Sequence, residues 1–351
     1  MARFVAGGQV VRVVAATPER DDSLLQLLEE NAMHGDIDLV MTRRPHYFSS
    51  QDDFGIVHSA LALEGERAVG MCRLTEHAGF ANGERQHLGY LGGLRITPSH
   101  RRRIRVLRAG FQHLRQLPPP IRCYTSIAAD NHEARRLLER GVAGLPGYRY
   151  LGEMCSLAIS RRRGRRHNLW RVMPVERYDD IVEYYHRRAS RRQLAPVLNA
   201  QWLRNTGATV LGCGDGNSLK ACAVLWDQQA FKQVLVARYS KRARLLRPLY
   251  NSYARVTGRV MLPAAGQTLD HCFLAFFATD DEKQLTTLVE EALTWSTAQV
   301  ITLGLPADLP ETDKLINDTR AMVYRTRLYG VDLIAQPEWD KRIVWPEIAL
   351  L

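Results

Sequence analysis

The sequence predicts an α+β fold made of two tandem domains, each a mixed and mostly antiparallel sheet flanked by helices. Three observations support this prediction. The chain has 351 residues, which is more than one ordinary domain needs. The same order of predicted elements occurs twice along it. An arginine-rich segment without acids, RRRGRRHN at residues 161–168, lies where the two copies meet.

Each copy begins with the same local plan. Residues 11–32 and 170–189 both contain a β-branched run, a proline, a Glu-Arg pair, an Asp-Asp pair and apolar residues at helical spacing. Acidic residues at a helix start are favoured by the positive end of the helix dipole. We therefore expect a strand and then a helix in both places. Residues 1–17 lack the layout of a signal peptide and are interpreted as the first strand.

Both copies continue with a hairpin. Residues 59–74 and 209–225 each have the pattern of a strand, a turn and a strand, with Gly65 and Asp215-Gly216 in the turns. The glycine-rich VLGCGDGN imitates a methyltransferase loop, but it lacks the preceding acid and the following helix, so a hairpin turn is the better interpretation.

A strand–helix–strand unit follows in each copy. YLGGLRI and IRCYTSIA bracket a helix in the first copy, and CFLAFFA and VITLGL bracket one in the second. The resulting organisation is a first domain at 1–160, a linker at 161–168 and a degenerate second domain at 169–351.

Composition excludes several classes of protein. The six cysteines lie far apart without a C-x-x-C pair, which indicates reduced thiols and a cytoplasmic protein. The eleven histidines show no metal-ligand spacing, so no metal is expected. No apolar run approaches the roughly 20 residues of a membrane-spanning helix, and no membrane partner is expected.

The most informative stretch is YLGGLRITPSHRRRIRVLRAGF at residues 90–111. A strand, a sharp turn and a helix start create a pocket of backbone amides that suits a pyrophosphate. Four arginines, at positions 101, 102, 103 and 105, could add charge-assisted hydrogen bonds. Residues 86–129 hold eight arginines and no acid. Residue type alone leaves an alternative open, in which these arginines coat the exposed face of a helix.

This order of elements resembles the GNAT N-acetyltransferase superfamily. LRITPSHRRRIRVL matches its acetyl-CoA motif after the fourth strand, and NHEARRLLERG matches its Asn-x-x-Ala with Asn131 and Ala134. The likeness covers residues 1–160 well in element order and the second half in outline. It implies a set of coenzyme-binding residues: Leu94, Arg95, Ile96, Arg101, Arg102, Arg103, Ile104, Arg105, Val106 and Asn131.

The chain departs from the family pattern at four positions. Ile104 and Val106 replace the two loop glycines that allow close approach to phosphate. The tyrosine that often protonates the leaving thiolate would fall at Leu138. The glutamate that often acts as base would fall at Tyr90, which is the catalytic candidate although a phenol with a pKa near ~10 is a better acid than base.

Other residues could reach the site, and one local feature fits the family. Tyr148, Tyr150, Glu76 and His58 are further candidates for proton transfer. Gly92-Gly93 fits the strand bulge that opens a thioester-binding gap in this family.

The resemblance implies an acyl-CoA-dependent N-acetyltransferase. Acetyl-CoA would be the co-substrate, a small-molecule or peptide amine would attack the thioester directly, and backbone amides near 94–96 would hold the oxyanion. The second copy carries ATDDEKQL in place of the arginine turn, and its acids would repel a phosphate. It is expected to complete a substrate cleft through RPHYFSS and the aromatic strand VYRTRLYGVDL.

An alternative of a different class remains open. A catalytically silent two-domain protein could use the basic linker at 161–168 to bind nucleic acid or an acidic partner. The linker has no interleaved aromatic residues, so nucleic-acid binding is not favoured.

Overall fold

The computed structural model describes residues 11–32, 35–48, 54–101, 103–118, 120, 122–215, 218–335 and 337–351. Five sequence predictions fall partly beyond them. The parts outside the described residues are the start of the first strand (1–10), the final Ser49 and Ser50 of RPHYFSS, Arg102 of the arginine turn, the first residue of IRCYTSIA (121) and Gly216 of the hairpin turn.

The first half of the chain contains seven strands and three helices among its described residues. The strands are β1 Val11–Ala15, β2 Ile37–Thr42, β3 Ile56–Glu64, β4 Arg67–Ala81, β5 Glu84–Ile96, β6 Arg122–Ala128 and β7 Gly147–Ser160. The helices are α1 Asp21–Glu29, α2 Ile104–Leu114 and α3 His132–Glu139.

The second half repeats this plan with two more helices in its described part. The strands are β8 Trp170–Val172, β9 Thr209–Asp215, β10 Ser218–Trp226, β11 Gln233–Tyr239, β12 His271–Thr279, β13 Val300–Pro306 and β14 Met322–Asp332. The helices are α4 Tyr178–Ala189, α5 Ala200–Asn205, α6 Lys241–Thr257, α7 Leu285–Trp295 and α8 Pro310–Thr319.

The first helix of each half buries the stripe that the sequence predicts. Helix α1 buries Leu24, Leu27 and Leu28, and α4 buries its apolar residues at the matching positions, among them Ile181 and Tyr184. Residues three and four apart share one helix face, so each helix presents one apolar side to the sheet. The predicted strand-then-helix start of both copies is confirmed.

Twelve strands form one continuous sheet in the order β1-β3-β4-β5-β6-β14-β7-β13-β12-β10-β9-β8. The order is symmetric about its centre, because each strand of the first half mirrors its counterpart in the second half. β5 and β6 run parallel, as do β12 and β13, whereas the other neighbours are antiparallel. The mixed, mostly antiparallel sheet predicted for each copy is confirmed.

The two halves exchange their last strands. β14, from the second half, lies between β6 and β7 and pairs with both. β7, from the first half, pairs on its other side with β13. Each half of the sheet is therefore completed by a strand that belongs to the other half of the chain. The boundaries 1–160 and 169–351 divide the sequence and stay a prediction, since the sheet itself is shared.

The arginine-rich linker is bound to the second half through its side chains. Arg161 donates to the carbonyls of Ser296 and Thr297. Arg162 donates to the carbonyl of Arg255 (2.5 Å), and Arg163 donates to two further carbonyls near helix ends. Because carbonyls at helix C-termini lack partners within the helix, these guanidiniums act as caps. Three of the five linker arginines are thus engaged within the chain, which weakens the alternative of a polyanion-binding linker.

Helices α1 and α2 cover opposite faces of the first half of the sheet. α1 packs on Leu61 and Leu63 of β3, and α2 packs on Ala62 of the same strand. Successive strand residues point to opposite faces, so this alternation places the two helices on the two sides. We call these sides the α1 face and the α2 face. No helix in the described part of the chain is long and apolar enough to cross a membrane.

Candidate active site

The sheet opens between β5 and β6. Among the described residues, these parallel strands pair over three positions, from Leu88↔Arg122 to Tyr90↔Tyr124. Beyond Tyr90, β5 stays paired with β4 while β6 pairs with β14. Two side-chain hydrogen bonds span the narrow end: Thr125 Oγ1 donates to the Leu91 carbonyl at 2.6 Å, and the Tyr90 hydroxyl lies 2.8 Å from Ser126 Oγ. We call this opening the first gap.

A β-bulge lies on the β5 side of the first gap. The register of β5 on β4 shifts between Arg73↔Gly92 and Met71↔Arg95, so β5 carries one extra residue. Gly93 has φ +61°, a left-handed conformation that glycine adopts at little cost. The bulge predicted at Gly92-Gly93 is confirmed.

The arginine turn lies at the far end of β5. Pro98–His100 form a 3₁₀ turn and α2 begins at Ile104. Arg101 and Arg103 are exposed there, and Arg101 Nη2 donates to Asn31 Oδ1 at 3.1 Å. The turn, the bulge and the first gap are thus arranged along one strand.

An acid that sequence reasoning missed occupies the arginine turn. Glu64, from the end of β3, accepts from Arg103 Nη1 at 3.1 Å and from Arg105 Nη2 at 3.4 Å. Its other oxygen lies 3.0 Å from Nε2 of the buried His100. The hydrogen bond with His100 is the largest cause of the lowered pKa of Glu64, and the charges of Arg103 and Arg105 lower it further. Residues 86–129 contain no acid, but the fold brings a carboxylate to the turn from 36 residues before His100.

The start of α2 presents backbone amides. In the described part of the chain, no side chain caps its first turn, so these amides are available to a ligand. Val106, which stands where the resemblance expects a glycine, is buried and packs on Val11 and Val69. Ile104 is half-buried. Val106 is the exception among these amides, because its N–H donates to the Arg103 carbonyl at 3.0 Å, and its side chain belongs to the core.

Asn131 lies at the start of α3 and caps that helix. Its Oδ1 accepts from the Ala134 amide at 3.1 Å, and Asn131 itself is exposed. The cap is Asn131 and not the preceding Asp130, because the helix begins at His132. Leu138 is buried in α3 and supplies no proton donor.

A narrow cavity lies between α2 and the sheet beside the first gap. Its volume is about 50 Å³, and its walls include Leu91, Leu94, Phe111 and Thr125. Leu94 itself is 41% exposed, so an apolar side chain faces solvent at the mouth of the cavity. Arg95 points to the other face, and Ile96 returns to the α2 face.

A polar cluster lies on the α1 face at the narrow end of the first gap. The ring of Tyr90 lies 5.2 Å from that of Tyr124, and the Tyr124 hydroxyl lies 3.1 Å from His77 Nε2. His77 Nδ1 lies 3.1 Å from the Ala78 carbonyl and donates to it, which leaves Nε2 as the acceptor. Burial lowers the pKa of His77, so its ring is neutral at pH 7. Burial also raises the pKa of Tyr90, so the phenol keeps its proton.

The exchanged strand β14 contributes Tyr324 to this region. Its side chain lies near enough to Asp130, Arg95 and Tyr90 for their charges to act on it, although burial is the main cause of its raised pKa. Tyr324 makes no hydrogen bond to a described residue through its hydroxyl. The predicted cleft strand VYRTRLYGVDL therefore lies beside β6. Tyr324 is a candidate proton donor in place of the family tyrosine that would fall at Leu138, and the two positions are 186 residues apart in sequence.

The other predicted candidates lie away from the polar cluster. Glu76 is buried and bonded to His58 (2.9 Å) and His87 (3.1 Å). Tyr148 lines the cavity under α2, and Tyr150 is 56% exposed. Glu76 and Tyr148 belong to the α2 face, opposite His77, so neither joins the cluster on the α1 face.

The second half contains a matching gap that the chain itself fills. β12 and β13 pair over three positions, ending at Phe273, and a bulge follows at Phe276 with φ +51°. Phe276 stands three residues beyond the last pair, as Gly93 does in the first half. Its amide donates to the buried carboxylate of Glu347 at 2.6 Å. The acids predicted to repel a phosphate are also present, and Asp281 caps the 3₁₀ turn after β12.

A broad groove runs between the halves on the side of the polar cluster. Its volume is about 890 Å³, and its walls include Phe54 and Ala78 from the first half and Glu183 and Trp202 from the second. The Phe54 ring lies 6.4 Å from the ring of His77. The groove therefore adjoins the polar cluster. No group of three or more potential ligand side chains among the described residues could hold a metal.

Comparisons with known proteins reveal likeness in structure. No family model matches the sequence, and no curated protein matches it. N-myristoyltransferase from Saccharomyces cerevisiae, solved with bound myristoyl-CoA, aligns with a TM-score of 0.59 and 11% identity over 95% of this chain and 84% of that chain. A putative acetyltransferase from Pyrococcus horikoshii aligns with a TM-score of 0.53 and 10% identity over 95% of this chain and 92% of that chain.

A GCN5-related N-acetyltransferase from Anabaena variabilis also aligns, with a TM-score of 0.49 and 12% identity over 92% of this chain and 73% of that chain. Identities this low establish the fold alone. The fold class predicted from the sequence, a tandem GNAT-like α+β arrangement, is confirmed.

Proposed function

We propose that the protein is an acyl-CoA-dependent N-acyltransferase that transfers an acetyl group from acetyl-CoA to a primary amine. The observation that carries the proposal is the alignment of three features along β5: the first gap, its bulge at Gly93, and the arginine turn with the uncapped start of α2. The corresponding fold in S. cerevisiae N-myristoyltransferase was solved with bound myristoyl-CoA.

The coenzyme would lie along the first gap. Its pyrophosphate would meet the first amides of α2 together with Arg101 and Arg103, because anions bind at helix N-termini and to guanidinium groups. The pantetheine arm would run beside residues 94–96, where β5 and β6 have separated. The side-chain amide nitrogen of Asn131 is unpartnered among the described residues and would face the arm.

The small cavity favours a short acyl group. A volume of about 50 Å³ holds a few atoms, since one water-sized probe occupies roughly 10–15 Å³. A long fatty acyl chain would need α2 to move away from the sheet, which would cost its packing through Phe111 and Leu114. We therefore propose acetyl as the transferred group.

The matching gap in the second half, between β12 and β13, supports a role for the Gly93 amide. At the equivalent bulge, the Phe276 amide donates to a carboxyl oxygen of Glu347, so this geometry directs an N–H toward an acceptor oxygen. The Gly93 amide would hold the thioester oxygen as the tetrahedral intermediate forms. Such an amide stabilises the oxyanion more than the ground-state carbonyl.

The transfer would follow direct attack. The neutral amine adds to the thioester carbonyl, and its proton passes to the His77–Tyr124 pair, where His77 Nε2 can accept one. The intermediate then collapses, the C–S bond breaks, and coenzyme A leaves as a thiolate. Tyr324 and Tyr90 are the candidate donors to that sulfur, since burial keeps both phenols protonated.

Calorimetric titration with acetyl-CoA tests the coenzyme site. The double change Arg101→Ala and Arg103→Ala should weaken binding by about tenfold or more, because charge-assisted hydrogen bonds are lost. Arg165→Ala with Arg166→Ala removes the same charge from the exposed linker and serves as the matched control. Absence of binding by the wild type, or equal loss in both double variants, would contradict the proposal.

Chain-length specificity is tested with the same protein. Acetyl-CoA should bind and react in preference to myristoyl-CoA, because the cavity under α2 is small. Faster transfer from myristoyl-CoA would retain the N-acyltransferase and overturn the acetyl assignment.

Tyr324→Phe tests the candidate proton donor. Turnover should fall by about a hundredfold, the usual contribution of a general acid, with acetyl-CoA affinity unchanged. Tyr150→Phe removes the hydroxyl of a tyrosine on β7 that lies away from the polar cluster and is 56% exposed, and it should leave turnover near that of the wild type. Equal turnover in the two variants would remove Tyr324 from the mechanism.

A further inference from the structure

Helix α6 is barely packed against the rest of the molecule. It has 17 residues, and Ala254 is its one buried residue. The sequence of this region, residues 228–269, contains no acid and eight basic residues. A helix of this length normally buries an apolar face against the core, and α6 instead presents its apolar residues outward.

The outward residues form a continuous stripe. Leu245 is 78% exposed, Leu249 is 70% exposed and Val256 is 87% exposed. Positions four, seven and eleven apart lie on one face of a helix, and Tyr253 and Leu246 extend that face on one side, at 52% and 43% exposure. Single exposed leucines are ordinary on protein surfaces, whereas a stripe of this kind marks an interaction site.

Cations flank the apolar stripe on the same helix. Lys241, Arg242, Arg244 and Arg255 are exposed, and none of them has a side-chain hydrogen bond or ion pair to another described residue. At the helix start, Asp36 accepts from the Ser240 hydroxyl at 3.0 Å. The linker adds charge at the other end, where Arg162 donates to the Arg255 carbonyl.

We propose that α6 docks on an anionic phospholipid surface. The apolar stripe would enter the boundary between headgroups and acyl chains, and the flanking cations would contact the headgroups, as is typical of interfacial amphipathic helices. A protein partner would need its own acids and an apolar groove, whereas an anionic bilayer supplies both properties together. This surface contact differs from the sequence expectation of no membrane partner, which considered spanning helices.

The docking site is independent of the first gap. α6 lies between β11 and β12 in sequence and carries none of the residues assigned to acyl transfer. Binding to vesicles and binding to acetyl-CoA can therefore be measured separately on the same variants.

Vesicle co-sedimentation tests the proposal with the full chain. The wild type should bind vesicles of phosphatidylcholine mixed with phosphatidylglycerol, bind pure phosphatidylcholine vesicles weakly, and dissociate as salt is raised. Absence of binding to the anionic vesicles, or equal binding to both kinds, would overturn the proposal.

Two variants separate the apolar from the electrostatic contribution. Leu245→Glu with Leu249→Glu should abolish vesicle binding. Arg242→Ser with Arg244→Ser should weaken it by about tenfold or more. Val172→Glu with Val175→Glu changes two residues of 49% and 47% exposure elsewhere on the surface and should retain binding.

Self-association is the competing explanation for the exposed stripe. Light scattering measures the mass of the wild type and of the Leu245→Glu, Leu249→Glu variant without lipid. A wild-type dimer that this variant dissociates, together with no vesicle binding, would assign the stripe to a second copy of the chain and overturn the lipid proposal. Far-ultraviolet circular dichroism confirms that each variant is folded.

Discussion

Glu64 is paired with arginines of the turn at which the proposed phosphate would bind. Its carboxylate engages both Arg103 and Arg105, so part of the positive charge is already compensated. Any anion at the start of α2 must compete with this carboxylate, so we expect Glu64 to lower the affinity for the proposed coenzyme.

Glu64→Gln should therefore tighten acetyl-CoA binding. We expect a gain of about threefold to tenfold, the effect of removing one screened like charge from a phosphate site. Glu66→Gln is the matched control, because Glu66 pairs with Arg20 away from the turn. Isothermal titration gives both dissociation constants, and weaker binding by Glu64→Gln would indicate that Glu64 positions the arginines instead of competing with the ligand.

The buried carboxyl group of Glu347 makes the free energy of unfolding depend on pH. Burial raises its pKa to about 7 from an ordinary 4.5. The neutral form is retained below pH 4.5 in both the folded and the unfolded chain. Between pH 4.5 and pH 7 the carboxyl group of Glu347 is ionised in the unfolded chain but still protonated in the folded chain. Across this range Glu347 therefore lowers the free energy of unfolding, by roughly 3 kcal/mol in total.

Glu347→Gln should remove this contribution. The free energy of unfolding of the wild type should decline between pH 5 and pH 7.5 relative to the variant, as measured by urea denaturation. Glu338→Gln, an exposed change in the same C-terminal segment, should keep the wild-type slope. A slope in Glu347→Gln that equals the wild type would show that Glu347 titrates normally.

Among the elements, β5 contains the bulge whose Gly93 amide is proposed to take part in the reaction. Gly93 and Gly65 both have left-handed backbone conformations, with φ of +61° and +64°. Gly93 lies at the first gap, whereas Gly65 lies in the β3–β4 turn, away from the gap. Replacement of either by alanine meets no close atom: the nearest neighbour of the added Cβ is Arg73 Cβ at 3.5 Å for Gly93, and none lies within 4 Å for Gly65.

Gly93→Ala and Gly65→Ala should thus cost similar stability, about 1 kcal/mol each, from the left-handed strain. Acyl transfer should fall by about tenfold or more in Gly93→Ala alone, because relief of the strain redirects the amide that we propose holds the oxyanion. Thermal unfolding and steady-state kinetics on both variants provide the comparison. Equal activity would show that the bulge amide takes no part in the reaction.

At the scale of the molecule, the exchange of β7 and β14 joins the halves into one folding unit. β7 buries Met154, Cys155, Leu157 and Ile159, and both of its neighbours in the sheet, β13 and β14, come from the second half. The two-stranded sheet of β2 and β11 adds another connection between the halves.

Separate expression of residues 1–160 and 169–351 should yield two chains that are unfolded or insoluble alone. Each would expose the buried face of its last strand and leave a strand edge unpaired. Co-expression should restore a soluble complex, detected by co-purification of an untagged half with a tagged one. A first half that unfolds cooperatively by itself would show that β7 can pair with β6 within one half.

The local features of the protein follow from its sequence. Strand and helix starts, the stripes of α1 and α4, the bulge at Gly92-Gly93 and the arginine turn are each encoded within a few consecutive residues, through periodicity and turn chemistry. The repeat of these signals along the chain was sufficient to predict two copies of one plan. Asn131 was predicted as a site residue for the same reason, although its role as helix cap required the backbone path.

Tertiary structure alone decided which distant residues meet. Glu64 enters the arginine turn, Tyr324 approaches Arg95 through the exchanged strand, and Glu347 occupies the bulge at Phe276. Each contact depends on strand order and register between segments far apart in sequence, and local patterns contain no information about that order. The outward position of the α6 stripe was decided in the same way, since an amphipathic sequence specifies an apolar face but not whether the fold covers it.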